Sequence, residues 1–381
     1  MGNTLTGLIP ILYQAISIVS RELTGLIPAV TLNADAAQAA KGQTIVYPIA
    51  PASAAVDIEA GVSAPDSGDQ VIGNDSLTIT KAKAVPVRWA GEEVVSIGSM
   101  YGRLLVDQFA QAMRTLTNEV EADLAALYPY ASRAIGAADT TLFKNAGDYS
   151  DVANVRKILV DNGAPISDLQ LVLDTTAGAA IRGKQGQAQM VGDTILARQG
   201  ILQDMSGMKI RESAQIKAHA KGTAANSTVS DAGHALGSTS LALTAAGTGT
   251  VVVGDRLTFA GDGNIYIAST GDTDVSDGGT IKINQPGLLL AMGEATKAIT
   301  VGAAYRANLA FARSAIHLVA RTPAMPPGGD MADDVLYLTD PVSGLVFQVA
   351  LYRQYRQIKY EIGLAWGVKA VQSEHIAILI G

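Results

Sequence analysis

Cysteine is absent from the sequence, and histidine occurs only four times, at His219, His234, His317 and His375. The first absence excludes disulfides, thiolate zinc sites, iron–sulfur clusters and a cysteine nucleophile. The second leaves little for a histidine-built metal site, since no two histidines stand at the i, i+4 spacing of a helical pair and no HExxH occurs. Charge is sparse: Asp, Glu, Lys and Arg make up 17% of the chain, with a net charge of −7. There is no overall basic field for gripping nucleic acid, and only a local patch could do so. Long hydrophobic runs are also missing. The N-terminal apolar stretch from Leu5 to Val19 is interrupted by Pro10, Tyr13, Gln14 and Ser17 and is shorter than the ~20 residues of a spanning helix. It carries no basic leader of a signal peptide. Met1-Gly2 with Thr6 fits the myristoylation pattern formally, but that pattern is short. Leu12, Ala15, Ile16 and Val19 instead lie on one helical stripe, so the segment reads as a helix docked on protein, with no membrane expected.

What is present is a chain of 381 residues that is 48% hydrophobic, enough for two or three domains with a large core. Residues 24–60 show no sustained helical period and read as an extended arm with a strand at 44–49. Residues 63–75, "SAPDSGDQVIGND", are a polar tip. The return strand 76–89 alternates through Leu77, Ile79, Val85, Val87 and Trp89, so the pair predicts a protruding hairpin leaning on another surface. The strongest helix follows over 99–127, with apolar residues at Leu105, Phe109, Ala112, Met113, Leu116, Val120, Leu124 and Leu127. It is roughly 40 Å long. Its other side carries Arg103, Asp107, Arg114, Asn118, Glu121 and Asp123, which read as a solvated or interface face. Then come a helix at 151–163 stopped by Gly163, a strand at 168–176 and a short helix from Ala177. That last helix entry offers free N–H groups to an anion, but neither GxxxxGK[ST] nor GxGxxG accompanies it.

Composition shifts near Ala214. Residues 214–300 are rich in Gly, Ala, Thr, Ser and Val, with candidate strands at 239–246, 250–261, 264–269, 279–283 and 297–301. Regular strands and turns indicate a small all-β sandwich or barrel. Asp272, Asp274 and Ser276 suggest a calcium ladder, yet Asp277 stands where glycine belongs and Ile283 where the terminal glutamate belongs. The glycines of 247–263 run into β-branched residues rather than a helix, so they read as hairpin turns and not as a phosphate cradle. From 308 a strand-like run ends in a proline turn, followed by strands at 334–339, 344–353, 356–368 and 374–380. Ser314 and His317 stand three apart, but no GxSxG elbow supports a nucleophile. Arg353, Arg356 and Lys359 with Tyr352, Tyr355 and Tyr360 could pair with and stack on nucleic acid, although alternation divides them between two faces. No catalytic, cofactor-binding or metal-ligating residue is assigned, and no cofactor is expected.

Several stretches, in order, resemble a known family. "GDRLTFAG" (254–261), "NLAFARSAIHLVARTPAMP" (308–326), "NEVEADLAALYPYA" (118–131) and the terminal "QVALYRQYRQIKYEIGLAWGVKAVQSEHIAILIG" are similar to tailed-phage major capsid proteins of the Hong Kong 97-like fold. Within that family they resemble the coat proteins of Salmonella phages of the P22 type, which carry an inserted β domain. The resemblance implies an α+β fold divided as follows: an N-terminal arm at 1–40, an extended hairpin at 41–90, a peripheral domain at 91–167 with the spine helix 99–127, an axial domain at 168–213 and 301–381, and an inserted β domain at 214–300. It implies no enzyme. It implies a structural subunit assembling as hexamers and pentamers around double-stranded DNA, with scaffolding, portal and decoration proteins as partners. The location would be the virion capsid, built in the bacterial cytoplasm. Two other readings stay open: a virion decoration or adhesive protein of β modules, and an enzyme with an unrecognised site.

Overall fold

The apolar stripe read at 99–127 forms the central helix of the molecule. The structure is a computed structural model that describes residues 9–19, 25–49, 73–137, 142–143, 149–185, 202, 204–230, 233–293, 295–341 and 343–381. In chain order the first elements are helix α1 (Ile9–Val19), strands β1 (Thr31–Ala39), β2 (Thr44–Ile49), β3 (Gly73–Thr78) and β4 (Lys81–Ala90), and helices α2 (Gly91–Ile97) and α3 (Tyr101–Ala125). Next come β5 (Arg133–Gly136), α4 (Ser150–Asp161), β6 (Leu169–Leu173), α5 (Thr175–Gln185) and β7 (Met208–Glu212). A run of short strands follows: β8 (Ala218–His219), β9 (Thr228–Val229), β10 (Ser240–Leu243), β11 (Arg256–Phe259), β12 (Ile265–Thr270), β13 (Gly279–Ile283) and β14 (Lys297–Val301). The chain closes with β15 (Tyr305–Ala312), β16 (Ile316–Pro323), β17 (Asp334–Thr339), β18 (Val346–Gln354), β19 (Gln357–Ala370) and β20 (Ile376–Ile380).

The spine α3 is 25 residues long, roughly 37 Å at 1.5 Å per residue. It buries Leu105, Phe109, Ala112, Met113, Leu116, Val120 and Leu124, the stripe at steps of three and four. Gly98, at φ +59°, separates it from α2. Two layers cover the stripe. One is α1, which places Leu12, Ala15 and Ile16 in the same cluster; the side chain of Val19 lies outside the described residues. The other is a six-stranded sheet ordered β1-β16-β19-β18-β17, with β4 also paired to β19. β1 runs parallel to β16, so the extended arm is a sheet strand in its own right.

The expected return strand 76–89 divides at Ile79–Thr80. β3 pairs with β2 as a two-stranded ribbon. β4 leaves it and pairs along β19 from Ala90↔Gln357 to Lys81↔Trp366. The reason is packing: Val87 and Trp89 are buried against the spine, with Val85 half-buried beside them, so residues 81–90 belong to the body and not to the hairpin. The tip residues 63–72 lie outside the described residues.

The single run expected from 308 is two strands in two sheets. β15 enters the second sheet, and a 3-10 turn at Arg313–Ala315 carries the chain into β16 of the first. Residues 301–381 are thereby shared between both sheets, so the grouping of all of them with 168–213 does not follow sheet membership. β5, β7, β8 and β9, short and flanked by loops, do not show in the sequence pattern, and the strand expected at 250–261 is confined to Arg256–Phe259 because the chain turns at Gly254, φ +94°. In the second sheet β5-β20-β15-β6-β7 run side by side. Ile376, Ile378 and Ile380 face the spine's cluster, while Ala377 and Leu379 face α4 and its neighbours. Burial on both faces explains why β20 reads as an unbroken apolar run.

Residues 228–301 build the remaining unit. β11 pairs β14, β14 pairs β9, β9 pairs β10, β10 pairs β13, β13 pairs β12, and β12 returns to β11, all antiparallel. Six strands therefore close into a barrel without a free edge. Val229, Leu241, Leu257, Phe259, Tyr266, Ile281, Ile283 and Ile299 fill it as a separate cluster.

Phe109 is fully buried and meets Tyr360 edge-on, with ring centroids 5.3 Å apart. Phe109→Ala is expected to lower unfolding free energy by about 3–5 kcal/mol in urea titration followed by circular dichroism. A loss under about 1 kcal/mol would contradict the central place given to the spine.

Candidate functional site

The polar side of α3, expected as a solvated or interface face, is where the units are joined. Arg103, Asp107 and Asn118 are exposed, but Glu121 is buried and Asp123 half-buried. Asp123 accepts from Lys81 Nζ at 2.7 Å and from Trp366 Nε1 at 2.8 Å. Lys83 pairs with Glu119, and Trp89 Nε1 donates to Gln108 Oε1 at 2.7 Å. β4, β19 and the spine are thus held by charge and hydrogen bonds as well as by apolar contact. Glu121 accepts from backbone N–H groups of Leu26 and Ile27.

At the C-terminal end of the spine stands a chain of aromatic and acidic groups. Tyr128 O–H donates to His219 Nδ1 (2.7 Å), and His219 Nε2–H donates to Asp255 Oδ1 (2.9 Å); this tautomer follows because a carboxylate can only accept. Asp255 also accepts from the N–H of Gly222 at 2.9 Å and of Val252 at 2.7 Å. Tyr305 O–H donates to the Gly254 carbonyl at 2.7 Å. Gly254 has φ +94°, and a Cβ there would lie 2.7 Å from the Tyr128 ring. His219 and Tyr305 face each other on the paired strands β8 and β15, through which the chain enters and leaves the barrel. Burial raises the pKa of Tyr128 and of Tyr305, and the Asp255 charge adds to both. Both phenols therefore stay protonated donors.

Further ties run nearby. Asn284 Nδ2 donates to the carbonyls of Pro129 (2.7 Å) and Ala131 (2.8 Å). Arg133 reaches Asn264 Oδ1 at 3.2 Å and Asn162 Oδ1 at 3.0 Å. β12 pairs with β5 at Ile265↔Ala134 and Tyr266↔Arg133. The barrel is bolted to the body at the end of the spine rather than hung on a linker.

A Tyr–His–Asp chain invites a catalytic reading. Tyr128 borders a shallow groove of about 260 Å³ with Ala122, Ala125, Ala126, Gln215, Ile216, Lys217, Ala218 and Ala307. A phenol acting as nucleophile needs a lowered pKa, and that of Tyr128 is raised. His219 and Asp255 are 5% and 0% exposed. The chemistry of the set is that of a fixed junction. Sequence reasoning did not find it, although Gly254-Asp255 opens the quoted "GDRLTFAG".

The residues weighed from sequence fall elsewhere. His317 Nε2 lies 3.2 Å from the Ser314 backbone carbonyl, not its hydroxyl. Arg353 pairs with Asp333, Arg356 with Glu92 and Lys359 with Glu361. Tyr360 is buried on Phe109 and Tyr352 O–H donates to Asp330, while Tyr355 and Arg356 stay exposed at the β18–β19 turn, so the cluster does not converge on one face. Asp272 and Asp274 cap local turns. Asp174 accepts from Thr176 and Ala177 N–H at the start of α5 and pairs with Arg306, which fills that helix entry. Among the described residues no group of three or more His, Asp or Glu could hold a metal, and no helix is long and apolar enough to cross a membrane. Exposed apolar residues include Val95, Met100 and Leu104 between α2 and the start of α3, and Leu236, Val252, Val253, Leu289 and Leu290 on the barrel unit; Val94 and Ile97 of α2 are half-buried on the spine's cluster.

No protein-family model and no curated protein sequence matches the chain. Its trace is similar to several solved structures. One is titled Mycobacterium phage Che8, at 13% identity over 94% of this chain and 92% of that one, with a TM-score of 0.45. Another is the capsid structure of Cyanophage P-SCSP1u, at 11% over 94% and 88%, TM-score 0.49. A third is a virus-like particle from Pyrococcus furiosus, at 9% over 98% and 99%, TM-score 0.43.

Asp255→Ala strands the donors of Gly222, Val252 and His219 in the interior. The expected loss is about 1–3 kcal/mol for each buried donor left unsatisfied, read by chemical denaturation, with Asp255→Asn milder. An unchanged midpoint would show that the junction does not hold the barrel.

Proposed function

We propose that this chain is the major capsid protein of a tailed bacteriophage, a subunit that self-assembles as hexamers and pentamers into an icosahedral shell around double-stranded DNA. The sequence resemblance is one support. The observation that carries the reading is the β2–β3 ribbon. It is a two-stranded sheet with Val46 exposed, tied to β19 through Asp75 and Ser76 on Lys369 and to the body through Ile79 and Ala39. Two strands alone are marginal in water, so the ribbon fits a surface supplied by a neighbouring copy. The exposed Val95, Met100 and Leu104 support the same reading.

In this proposal the arm is 1–40 and the hairpin 41–90, the latter's body end now counted with the spine. The spine and six-stranded sheet form the peripheral unit, and the β5–β7 sheet with α4 and α5 the axial one. The barrel is an inserted domain within 214–300 whose direction is set by the Tyr128–His219–Asp255 junction. Shell contacts are individually modest, so misplaced subunits can leave before closure. A net charge of −7 suits a wall that encloses DNA without gripping it. Scaffolding, portal and decoration proteins would be its partners, and assembly would take place in the bacterial cytoplasm. A decoration or adhesive protein of β modules has little use for the 25-residue spine, and this favours the shell subunit.

Deleting residues 63–72, which leaves β3 intact, is expected to give a soluble, folded subunit with an unchanged circular dichroism spectrum. That subunit should sediment as a small species where the full chain forms large particles. Normal particles from the deletion variant would sink the role given to the hairpin.

A further inference from the structure

Glu121 places a carboxylate where burial is expensive. It is 1% exposed and makes no ion pair among the described residues. Backbone and hydroxyl groups satisfy it instead. The Leu26 N–H donates to both oxygens at 3.0 and 3.1 Å, and the Ile27 N–H to Oε1 at 2.8 Å. Ser213 Oγ–H donates to Oε2 at 2.9 Å, and the Gly25 N–H adds a further contact. Leu26 and Ile27 lie at the base of the N-terminal arm. Ser213 directly follows β7 on the segment that leads into the barrel. The two meet again at Gly25, where a Cβ would lie 2.4 Å from the Glu212 carbonyl oxygen. The arm therefore threads a slot that only glycine fits.

We propose that Glu121 is a latch which holds the base of the arm and the barrel-entry segment in one buried hydrogen-bond set, so that docking of the arm and seating of that segment are a single event. The inference rests on these contacts alone and stands whether or not the chain builds a shell.

The latch is also proton-linked. Desolvation raises the Glu121 pKa above its ordinary 4.5, outweighing the hydrogen bonds from Ile27, Leu26, Ser213 and Gly25 that favour the charged form. The charged neighbour facing it is Arg211 on β7, which is hydrogen-bonded to Gln170; Arg313, Asp204 and Asp168 act on Arg211 in turn. α1, packed on the same spine, carries no charge. The docked state thus keeps a proton over a pH range where a released arm, with Glu121 in water, has lost it. Stability from docking is full below 4.5 and is lost as pH rises through the raised value. Acid closes the latch and rising pH loosens it.

Hydrogen exchange on the full-length soluble subunit tests this, read as protection factors between pH about 5 and about 8. The amides of Leu26 and Ile27 and those of residues 213–216 are expected to lose protection together as pH rises, by at most about tenfold per pH unit, the limit for one proton. Glu121→Gln keeps an acceptor for the arm and a donor for Ser213, so protection should remain and its pH response disappear. Gly25→Ala leaves Glu121 itself unchanged but pushes the arm off the Glu212 carbonyl and withdraws the Gly25 N–H, and should lower protection at Leu26, Ile27 and 213–216 together. Amides of Leu159 and Leu171, in a separate cluster, should hold in every variant and so exclude global unfolding. Independent responses of the two segments, or a Glu121→Gln variant with the wild-type pH response, would overturn the proposal.

Discussion

The buried stripe of α3, from Leu105 to Leu124, is covered by α1 on one side and by the six-stranded sheet on another, and its far end reaches the second sheet. Burial of this kind is worth roughly 25 cal/mol per Å² and has no direction of its own. Direction comes from the polar residues threaded through it. Asp123 fixes the sheet through Lys81 and Trp366, Glu121 fixes the arm, and Tyr128 fixes the barrel. Those three anchors lie within about two turns of one another at the same end of the helix. Position along the spine thus sets how every other unit is held.

Concentrating the ties in one place has a mechanical consequence. The barrel is a closed ring with its own core, yet it shares β12–β5 pairing and a buried Tyr–His–Asp chain with the body. Its core is its own, and its direction is set by the body. The ribbon and the passage from α2 into the spine, by contrast, leave Val46, Val95 and Met100 exposed. A subunit stiff at its centre and incomplete at its margins is what a self-closing shell requires, because curvature is written in the stiff part and adhesion in the open one.

Much of this was legible in the residues. The spine's three–four stepping, the strand at 334–339 and the turn chemistry of Gly247 to Gly263 each followed from local pattern, and five of the barrel's six strands from their spacing, the two-residue β9 being too short to show. The failures have physical causes. Residues 76–89 keep an alternating pattern across Thr80, so period alone could not show where the ribbon ends and the body begins. β15 and β16 are both apolar and separated only by Arg313–Ala315, so a change of sheet left no mark on composition. Glu121 and Asp123 were assigned to a polar face because charge on a helix usually means solvent. Only tertiary structure brings Leu26, Ser213, Lys81 and Trp366 to them. The Tyr128–His219–Asp255 chain joins residues 91 and 36 positions apart, a separation no local pattern reports.

The central claim is that this stiff-centred, open-margined subunit closes into shells. Electron microscopy of the purified full-length chain, expressed at high level in a bacterium, tests it most directly. The account predicts closed particles of uniform diameter with hexameric and pentameric clusters on their surface. A preparation holding only monomers, or only open and irregular aggregates, across the accessible concentration range would contradict it.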